Sequence, residues 1–243
     1  MTEILLINPN TTQSITDLVL KHATRFAAKG TKLRAVTGAF GPRYVASRIG
    51  YAIAGHAAVD ALANDKGRKD AVVLACFGDP GLAALKEVSK VPVVGMADAS
   101  ILQACAMGKR FSIVTGGERW KPMLEEFVAS HGLASRLASV RTVAPTGADI
   151  ARNPKAAMAL LAKSCNACAA DGADVVILGG AGLAGLAAKL KSQVDIPLLD
   201  GVACAISMAE ALAGQKTVRM GTQPAPVESI GLSKGLAKLI GSP

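Results

Sequence analysis

Short apolar runs rich in Val, Ile and Leu alternate along the chain with longer, alanine-rich amphipathic segments. Short uninterrupted apolar runs are typical of strands buried on both faces, and the segments between them have the spacing of helices. The alternation predicts α/β architecture with parallel strands. The predicted strands are residues 3–8, 32–38, 70–76, 91–96, 111–116, 139–144, 174–180 and 196–201.

This pattern occurs twice. Residues 71–99 and 174–204 each contain a strand, a Gly-containing turn, an alanine-rich helix, a Val-Pro or Ile-Pro step, a second strand and a helix. A further strand with a polar exit precedes each copy. The repeat predicts two pseudo-symmetric Rossmann-like α/β domains that arose by internal duplication, each with a parallel four-stranded sheet. The expected domains are residues 1–97 plus about 203–243, and residues 98–202.

The strand exits are the candidate ligand-binding positions. In open α/β sheets, ligands bind outside the carboxyl ends of the strands, so a cleft between the two domains is the expected site. Glycine-containing turns there expose backbone N–H groups that suit a carboxylate or an enolate oxygen. The exits expected to face the cleft are residues 8–11, 76–78, 115–117 and 179–182.

One cysteine stands at such an exit. Cys76 follows a buried strand, and aligning the two copies on their turns places it opposite Gly179 or Gly180. We expect its sulfur to lie near the first backbone N–H groups of the following helix, whose dipoles stabilise a thiolate that can take a proton from carbon or attack a carbonyl. A buried, unreactive cysteine is the alternative. Cys204, one turn into a later helix, is a second thiol that could reach the cleft.

The second turn also fits a dinucleotide-binding fingerprint. Gly180, Gly182 and Gly185 have the G-x-G-x-x-G spacing after a strand, and Asp200 ends the next strand where a ribose-binding acid belongs. Against NAD(P) binding, the corresponding copy at residues 75–85 lacks the fingerprint. We therefore expect no cofactor.

The composition of the chain limits the classes of partner that we expect it to bind. The net charge of +9 suits an anionic ligand, but the basic residues are scattered and aromatic residues make up only 3%, so nucleic-acid binding is not expected. No apolar run reaches the roughly 20 residues of a membrane helix, and the start lacks a signal-peptide pattern. Five cysteines without paired spacing indicate reduced thiols and a cytoplasmic protein. The histidines are far apart and predict no metal site.

Five segments, in chain order, resemble the Asp/Glu/hydantoin racemase family, and in particular its hydantoin and allantoin racemase branch. They are LLINPNTT, ACFGDPGLAALKEVSKVPVVGMADAS, RFSIVTGG, VVILGGAGLAG and IPLLDGVACAISMAEAL. The resemblance covers nearly the whole chain and implies two α/β domains about a pseudo-dyad. It also implies a homo-oligomer and cofactor-independent proton transfer at the carbon alpha to a carbonyl of a small hydantoin, ureide or amino-acid-type substrate.

The resemblance assigns roles to individual residues. Cys76 matches one of the two proton-carrying cysteines, and Gly180 stands where the other is expected. A lid over the site is expected at residues 38–47. The residues implied in substrate binding are Asn8, Phe77, Gly78, Thr115, Gly116, Ala181 and Gly182, with Arg43 and Tyr44 from the lid.

The glycine at position 180 leaves other functions open, because a hydrogen atom cannot act as an acid. One alternative is a single-cysteine decarboxylase or lyase of a malonate-type acid. Another is a nonenzymatic protein that binds a small molecule in the same cleft.

Overall fold

The structure of the protein is a computed structural model, and it describes residues 1–143, 153–215 and 226–241. Its strands are β1 (Thr2–Asn8), β2 (Thr31–Thr37), β3 (Ala71–Leu74), β4 (Val93–Gly95), β5 (Phe111–Gly116), β6 (Leu137–Val143), β7 (Val175–Gly179) and β8 (Leu198–Asp200). They form two four-stranded sheets, ordered β2-β1-β3-β4 and β6-β5-β7-β8. Every pairing is parallel. The predicted pair of parallel four-stranded sheets is therefore confirmed.

Helices fill most of the connections. They are α1 (Gln13–Phe26), α2 (Arg48–Asn64), α3 (Leu82–Val88), α4 (Met96–Met107), α5 (Trp120–Ser130), α6 (Pro154–Ala170), α7 (Leu186–Leu190), α8 (Gly201–Leu212) and α9 (Lys234–Leu239), with 3-10 turns at Ala134–Arg136 and Ala181–Leu183. In the described parts of the chain, each helix is too short or too polar to cross a membrane.

The helices α4 and α8 lie between the two sheets and pack against each other. Helix α4 follows β4 but also contacts β5 and β7, and α8 follows β8 but also contacts β3 and β4. One cluster of buried residues therefore runs through both halves of the molecule, from Ile4 to Ala209. The domain boundaries drawn from the sequence stay a prediction, because this core is shared.

Strand register defines which residues correspond in the two halves. Val72 pairs with Val93 in the first sheet, and Val176 pairs with Leu198 in the second. Cys76 comes four residues after Val72 of β3, and Gly180 comes four residues after Val176 of β7. The register therefore makes Gly180, rather than Gly179, the counterpart of Cys76.

A second correspondence comes from the central strands. Ile7 pairs with Leu74, and Val114 pairs with Leu178. The next residue in each central strand is Asn8 in the first half and Thr115 in the second. The two halves therefore present an amide and a hydroxyl at equivalent points of the sheet.

The turn after β3 packs backbone to backbone against α2. Gly81 has φ +81°, and a Cβ atom added to it would lie 2.8 Å from both Cα and the carbonyl oxygen of Gly55. Backbone atoms cannot rotate away as a side chain can, so only glycine fits at this crossing. This contact fixes the height of the β3 turn above the sheet.

We predict that Gly81→Ala destabilises the protein by more than Gly214→Ala. Gly214 has the same φ of +81° with nothing within 4 Å of an added Cβ, so its substitution measures conformational strain alone, about 1–2 kcal/mol. The substitution at Gly81 adds the clash with Gly55. Urea unfolding of both variants measures the difference, and equal losses of stability would contradict the proposed backbone contact.

Candidate active site

The exits of the four central strands meet around one cavity of about 510 Å³. A volume of this size suits a small molecule. All four exits that the sequence predicted to face the cleft contribute to its wall. The lining residues are Asn10, Thr12, Ile15, Arg43, Tyr44, Val45, Cys76, Phe77, Thr115, Gly116, Gly117, Trp120, Gly180, Ala181, Gly182 and Leu183.

Two residues that the sequence placed among the substrate-binding set do not line this cavity. Asn8 is buried beside it, and its Nδ2 donates to Asn10 Oδ1 at 3.0 Å and to Thr16 Oγ1 at 2.9 Å. Gly78 turns away from the cavity, and its carbonyl accepts a hydrogen bond of 2.7 Å from the Tyr51 hydroxyl. The polar groups of both residues instead hold the loops of the site, and their part in substrate binding stays a prediction.

Asn10 lines the cavity wall, where the sequence analysis expected Asn8. Its Oδ1 accepts hydrogen bonds from Asn8 Nδ2 and from the backbone N–H of Thr12, at 2.9 Å. A backbone N–H can only donate, so this contact determines which end of the Asn10 amide is oxygen. The Nδ2 group has no hydrogen-bond partner in the described residues. Asn10 therefore presents an oriented donor to the cavity.

Cys76 lies in the loop that follows β3, which we call the β3 turn (residues 75–81). The expected nearby helix is not there, since α3 begins only at Leu82. Burial of the thiol, together with the charge of Asp79, raises the pKa of Cys76 to about 12. Desolvation therefore opposes the stabilised thiolate that the sequence analysis offered as one of two alternatives.

Aromatic rings pack across the two halves on both sides of Cys76. A Cβ atom on Gly78 would lie 2.6 Å from Trp120 Cζ3, and one on Gly179 would lie 2.6 Å from Phe77 Cε1. A ring from each half therefore rests on a glycine of the other. These contacts hold the β3 turn against the start of α5 and against Gly179 at the end of β7, just before the loop that we call the β7 turn (residues 180–185).

A buried carboxylate ties the β3 turn to α4. Asp79 is in the left-handed region with φ +55°, and its Oδ1 and Oδ2 accept from the N–H groups of Ala97 (3.0 Å) and Asp98 (2.7 Å). These are first-turn donors of α4, which otherwise lack partners. Burial raises the pKa of Asp79 to about 7, against the opposing effect of these two hydrogen bonds.

Asp200 is a second buried carboxylate, and it ties the β7 turn to α8. Its Oδ1 accepts from Val202 and Ala203 at the start of α8, and its Oδ2 accepts from the Gly185 N–H at 2.7 Å. Asp200 is therefore a helix cap and not a ribose-binding acid. The helix after the fingerprint has only five residues, Leu186–Leu190. Both features argue against dinucleotide binding.

Gly180 has the backbone conformation φ +120°, ψ +131°. Side chains rarely adopt this conformation. Space itself is not limiting, because an added Cβ would lie 3.4 Å from Thr115 Oγ1 and 3.9 Å from Leu183 Cγ. The cavity therefore has a thiol from the first half and no side chain at the equivalent point of the second.

The predicted lid closes over the cavity and is held by both halves. The Thr12 hydroxyl donates to the Arg43 carbonyl at 2.6 Å, and the Tyr44 hydroxyl donates to the Gly116 carbonyl at 3.1 Å. Arg48 pairs with Glu126 across the cleft. Arg43 is the one charged side chain among the described residues that line the cavity.

The structure thus brings together most of the residues that the sequence singled out: Cys76, Phe77, Thr115, Gly116, Gly180, Ala181, Gly182, Arg43 and Tyr44. Cys204 is buried near α4 and does not line the cavity. The sequence analysis included Asn10 only within the exit at residues 8–11, and it missed Thr12, Ile15, Trp120 and Leu183 as lining residues. The direction of a side chain in a loop is not visible in a motif.

Known proteins are similar to this chain over most of its length. The Asp/Glu/Hydantoin racemase family model matches residues 4–209. A hydantoin racemase from Pseudomonas sp. (strain NS671) is 36% identical over 231 residues, 92% of each chain. One from Rhizobium meliloti is 34% identical, covering 92% of this chain and 94% of its own. The crystal structure of an allantoin racemase from Pseudomonas fluorescens superposes with a TM-score of 0.89 and 33% identity, covering 95% of this chain and all of the other.

We predict that Asp79 makes the stability of the protein fall as pH rises from about 4 to about 7. Its pKa is about 7 in the folded state and about 4 in an unfolded chain, so the folded state binds the proton more tightly across that window. The stabilisation that the Asp79 proton provides is therefore complete below the unfolded-state pKa of about 4, and it is lost as pH rises through the folded-state pKa of about 7.

The measurement is urea unfolding of the wild type and Asp79→Asn at several pH values. The stability of the wild type minus that of the variant should decline with a limiting slope of about 1.4 kcal/mol per pH unit. Subtraction removes the contribution of other titrating groups. Parallel pH profiles for the two proteins would show that Asp79 does not titrate in this range.

Proposed function

Because this chain belongs to the Asp/Glu/hydantoin racemase family, we propose that it is a cofactor-independent racemase that moves a proton at the carbon alpha to a carbonyl of a small cyclic substrate. The single observation that carries the proposal is the thiol of Cys76 at the wall of a cavity built from four strand exits. Relatives that are hydantoin and allantoin racemases favour this chemistry over a malonate-type decarboxylase.

Cys76 is the proposed proton carrier. With a pKa of about 12 the thiol is protonated at neutral pH, the form that donates a proton to an enolate. Removal of the alpha proton from carbon uses the thiolate, so Cys76 must first give its own proton to solvent. A general base is most effective when its pKa lies near the operating pH, so the raised pKa favours the proton-donating role of Cys76 over proton abstraction.

Asn10 is proposed to bind the carbonyl next to the reacting carbon. Its Nδ2 faces the cavity with its orientation set by Asn8 and Thr12. A fixed donor stabilises the oxygen most when negative charge develops on it, because the donor need not reorganise. Removal of the alpha proton creates that charge, so the hydrogen bond strengthens along the reaction.

The rest of the cavity favours an apolar substituent on the substrate. Its walls include Ile15, Val45, Phe77, Trp120 and Leu183. A ureido substituent, as in allantoin, would leave its hydrogen-bonding groups against these side chains, which costs free energy. We therefore propose that a hydantoin with an apolar substituent at the reacting carbon is a better substrate than allantoin.

We further propose that the protein is cytoplasmic and that it forms a homo-oligomer. The five cysteines are unpaired, which fits a reducing compartment such as the cytoplasm. Exposed apolar side chains lie on α2 and α4, among them Ile49, Ile53, Leu102 and Met107. Such side chains are often covered in an assembly, which supports a homo-oligomer.

We predict that Cys76→Ala lowers racemisation of a 5-benzylhydantoin enantiomer by at least about 10²-fold, because the proton carrier is lost. Polarimetry in deuterium oxide, with NMR of the alpha hydrogen, measures inversion and exchange together against an enzyme-free blank. Cys105→Ala is the matched control, since Cys105 lies on α4 away from the cavity. Full activity of Cys76→Ala would disprove the role of this thiol.

We predict that Asn10→Asp lowers kcat/KM by roughly 10²- to 10³-fold, the usual effect of removing one such donor. The carboxylate keeps oxygens for Asn8 and Thr12 but puts negative charge where Nδ2 was, so the fold is retained while the enolate is repelled. Steady-state kinetics with the same hydantoin gives the ratio. A kcat/KM within twofold of wild type would assign carbonyl binding to another group.

A further inference from the structure

The second face of the substrate carbon needs a proton source that Gly180 does not supply. On the second-half wall, the described lining residues are Thr115, Gly116, Gly117, Trp120 and residues 180–183. Only Thr115 among them carries a side-chain hydroxyl. The indole N–H of Trp120 donates hydrogen bonds but does not give up its proton.

The hydroxyl of Thr115 is unusual among the buried hydroxyls of the described chain. Thr115 is 4% exposed and has no hydrogen-bond partner among the described residues. The other buried hydroxyls are all paired, namely those of Thr16, Ser89, Ser100 and Ser112. Among the described residues no fully buried side-chain oxygen or nitrogen lacks a partner, so the Thr115 oxygen opens onto the cavity, where a bound molecule can pair with it.

The position of this hydroxyl relates it to the missing side chain. Thr115 Oγ1 lies 3.4 Å from where a Cβ of Gly180 would be, and Gly180 is the counterpart of Cys76 by strand register. The equivalent of Thr115 in the first half, Asn8, is fully occupied in its own loop. The hydroxyl is therefore free on the side of the cavity opposite Cys76.

We infer that Thr115 holds a water molecule that exchanges the proton on the second face of the substrate, in place of a thiol at position 180. This inference rests on the proposed racemase function. The Thr115 hydroxyl supplies one of the polar partners that such a water needs, and the substrate or further water in the cavity supplies the others.

The proton transfers balance without any other reactant. Cys76, protonated at rest, first gives its proton to solvent. The thiolate takes the proton from carbon, the C–H bond breaks, and its electron pair becomes the enolate. Water then gives a proton to the opposite face, a new C–H bond forms, and the hydroxide left behind accepts a hydrogen bond from Thr115. The hydroxide takes up the proton that solvent had received, which restores the resting thiol and water. The reverse sequence inverts the other enantiomer.

The test compares inversion with exchange in deuterium oxide, starting from one pure enantiomer of 5-benzylhydantoin at a time. For the enantiomer whose hydrogen faces Cys76, return of a deuteron from sulfur gives exchange with retention, and delivery from water gives inversion. We expect Thr115→Val to lower the ratio of inversion to exchange at least tenfold. Thr115→Ser, which restores the hydroxyl, should restore the ratio, and Thr115→Ala should resemble Thr115→Val.

Each result decides between explanations. Measurable exchange in the valine or alanine variant shows that its site is folded. An unchanged ratio would overturn the role of Thr115 while leaving the racemase function intact. An equal fall in exchange and inversion would assign the hydroxyl to substrate binding and also overturn the inference. If the wild type shows neither exchange nor inversion, the proposed function itself fails.

Discussion

Each of the two turns that bring the halves together is tied to the helix beyond the next strand by one buried carboxylate. Asp79 joins the β3 turn to α4, and Asp200 joins α8 to the β7 turn. A carboxylate that accepts several backbone N–H groups satisfies donors that would otherwise be buried without partners. The placement of the thiol, the lining loops and the aromatic contacts across the cleft all depend on these two anchors.

The Asp79 anchor also makes the Cys76 thiol differ chemically from an ordinary exposed thiol. Asp79 must be buried to reach α4, and burial beside it keeps Cys76 protonated. The second-half wall has a glycine and the Thr115 hydroxyl instead, so the two walls of the cavity differ in their side-chain chemistry.

Much of this arrangement was predictable from the sequence. The alternation of apolar runs predicted all eight strands, and the internal repeat predicted two matching sheets and a shared cleft. The repeat left Gly179 and Gly180 as alternatives, and only hydrogen-bond register distinguished them. These features are predictable because periodicity and glycine turns are local properties of the chain.

The parts that failed depend on contacts distant in sequence. Asn8 and Asn10 sit in the same motif, and which amide faces the cavity follows from the hydrogen bonds of Thr12 and Thr16. The pKa of Cys76 was expected to fall because a helix was placed too close to it. Its actual rise comes from burial by residues of both halves, which no single segment of sequence encodes.

The carboxylate anchors have a consequence for how such a duplicated protein can change. Gly95 pairs with Leu74 of β3, and Asp200 pairs with Leu178, the equivalent residue of β7. Gly95 and Asp200 therefore occupy equivalent positions in the two halves. A Cβ on Gly95 would lie 2.2 Å from Asp79 Oδ2, so the carboxylate of Asp79 fills the space that the Asp200 side chain fills in the other half. Each half has room for one acid, which can come from the turn or from the strand end. The two positions are therefore epistatic, and a lineage could exchange one solution for the other only by changing both together.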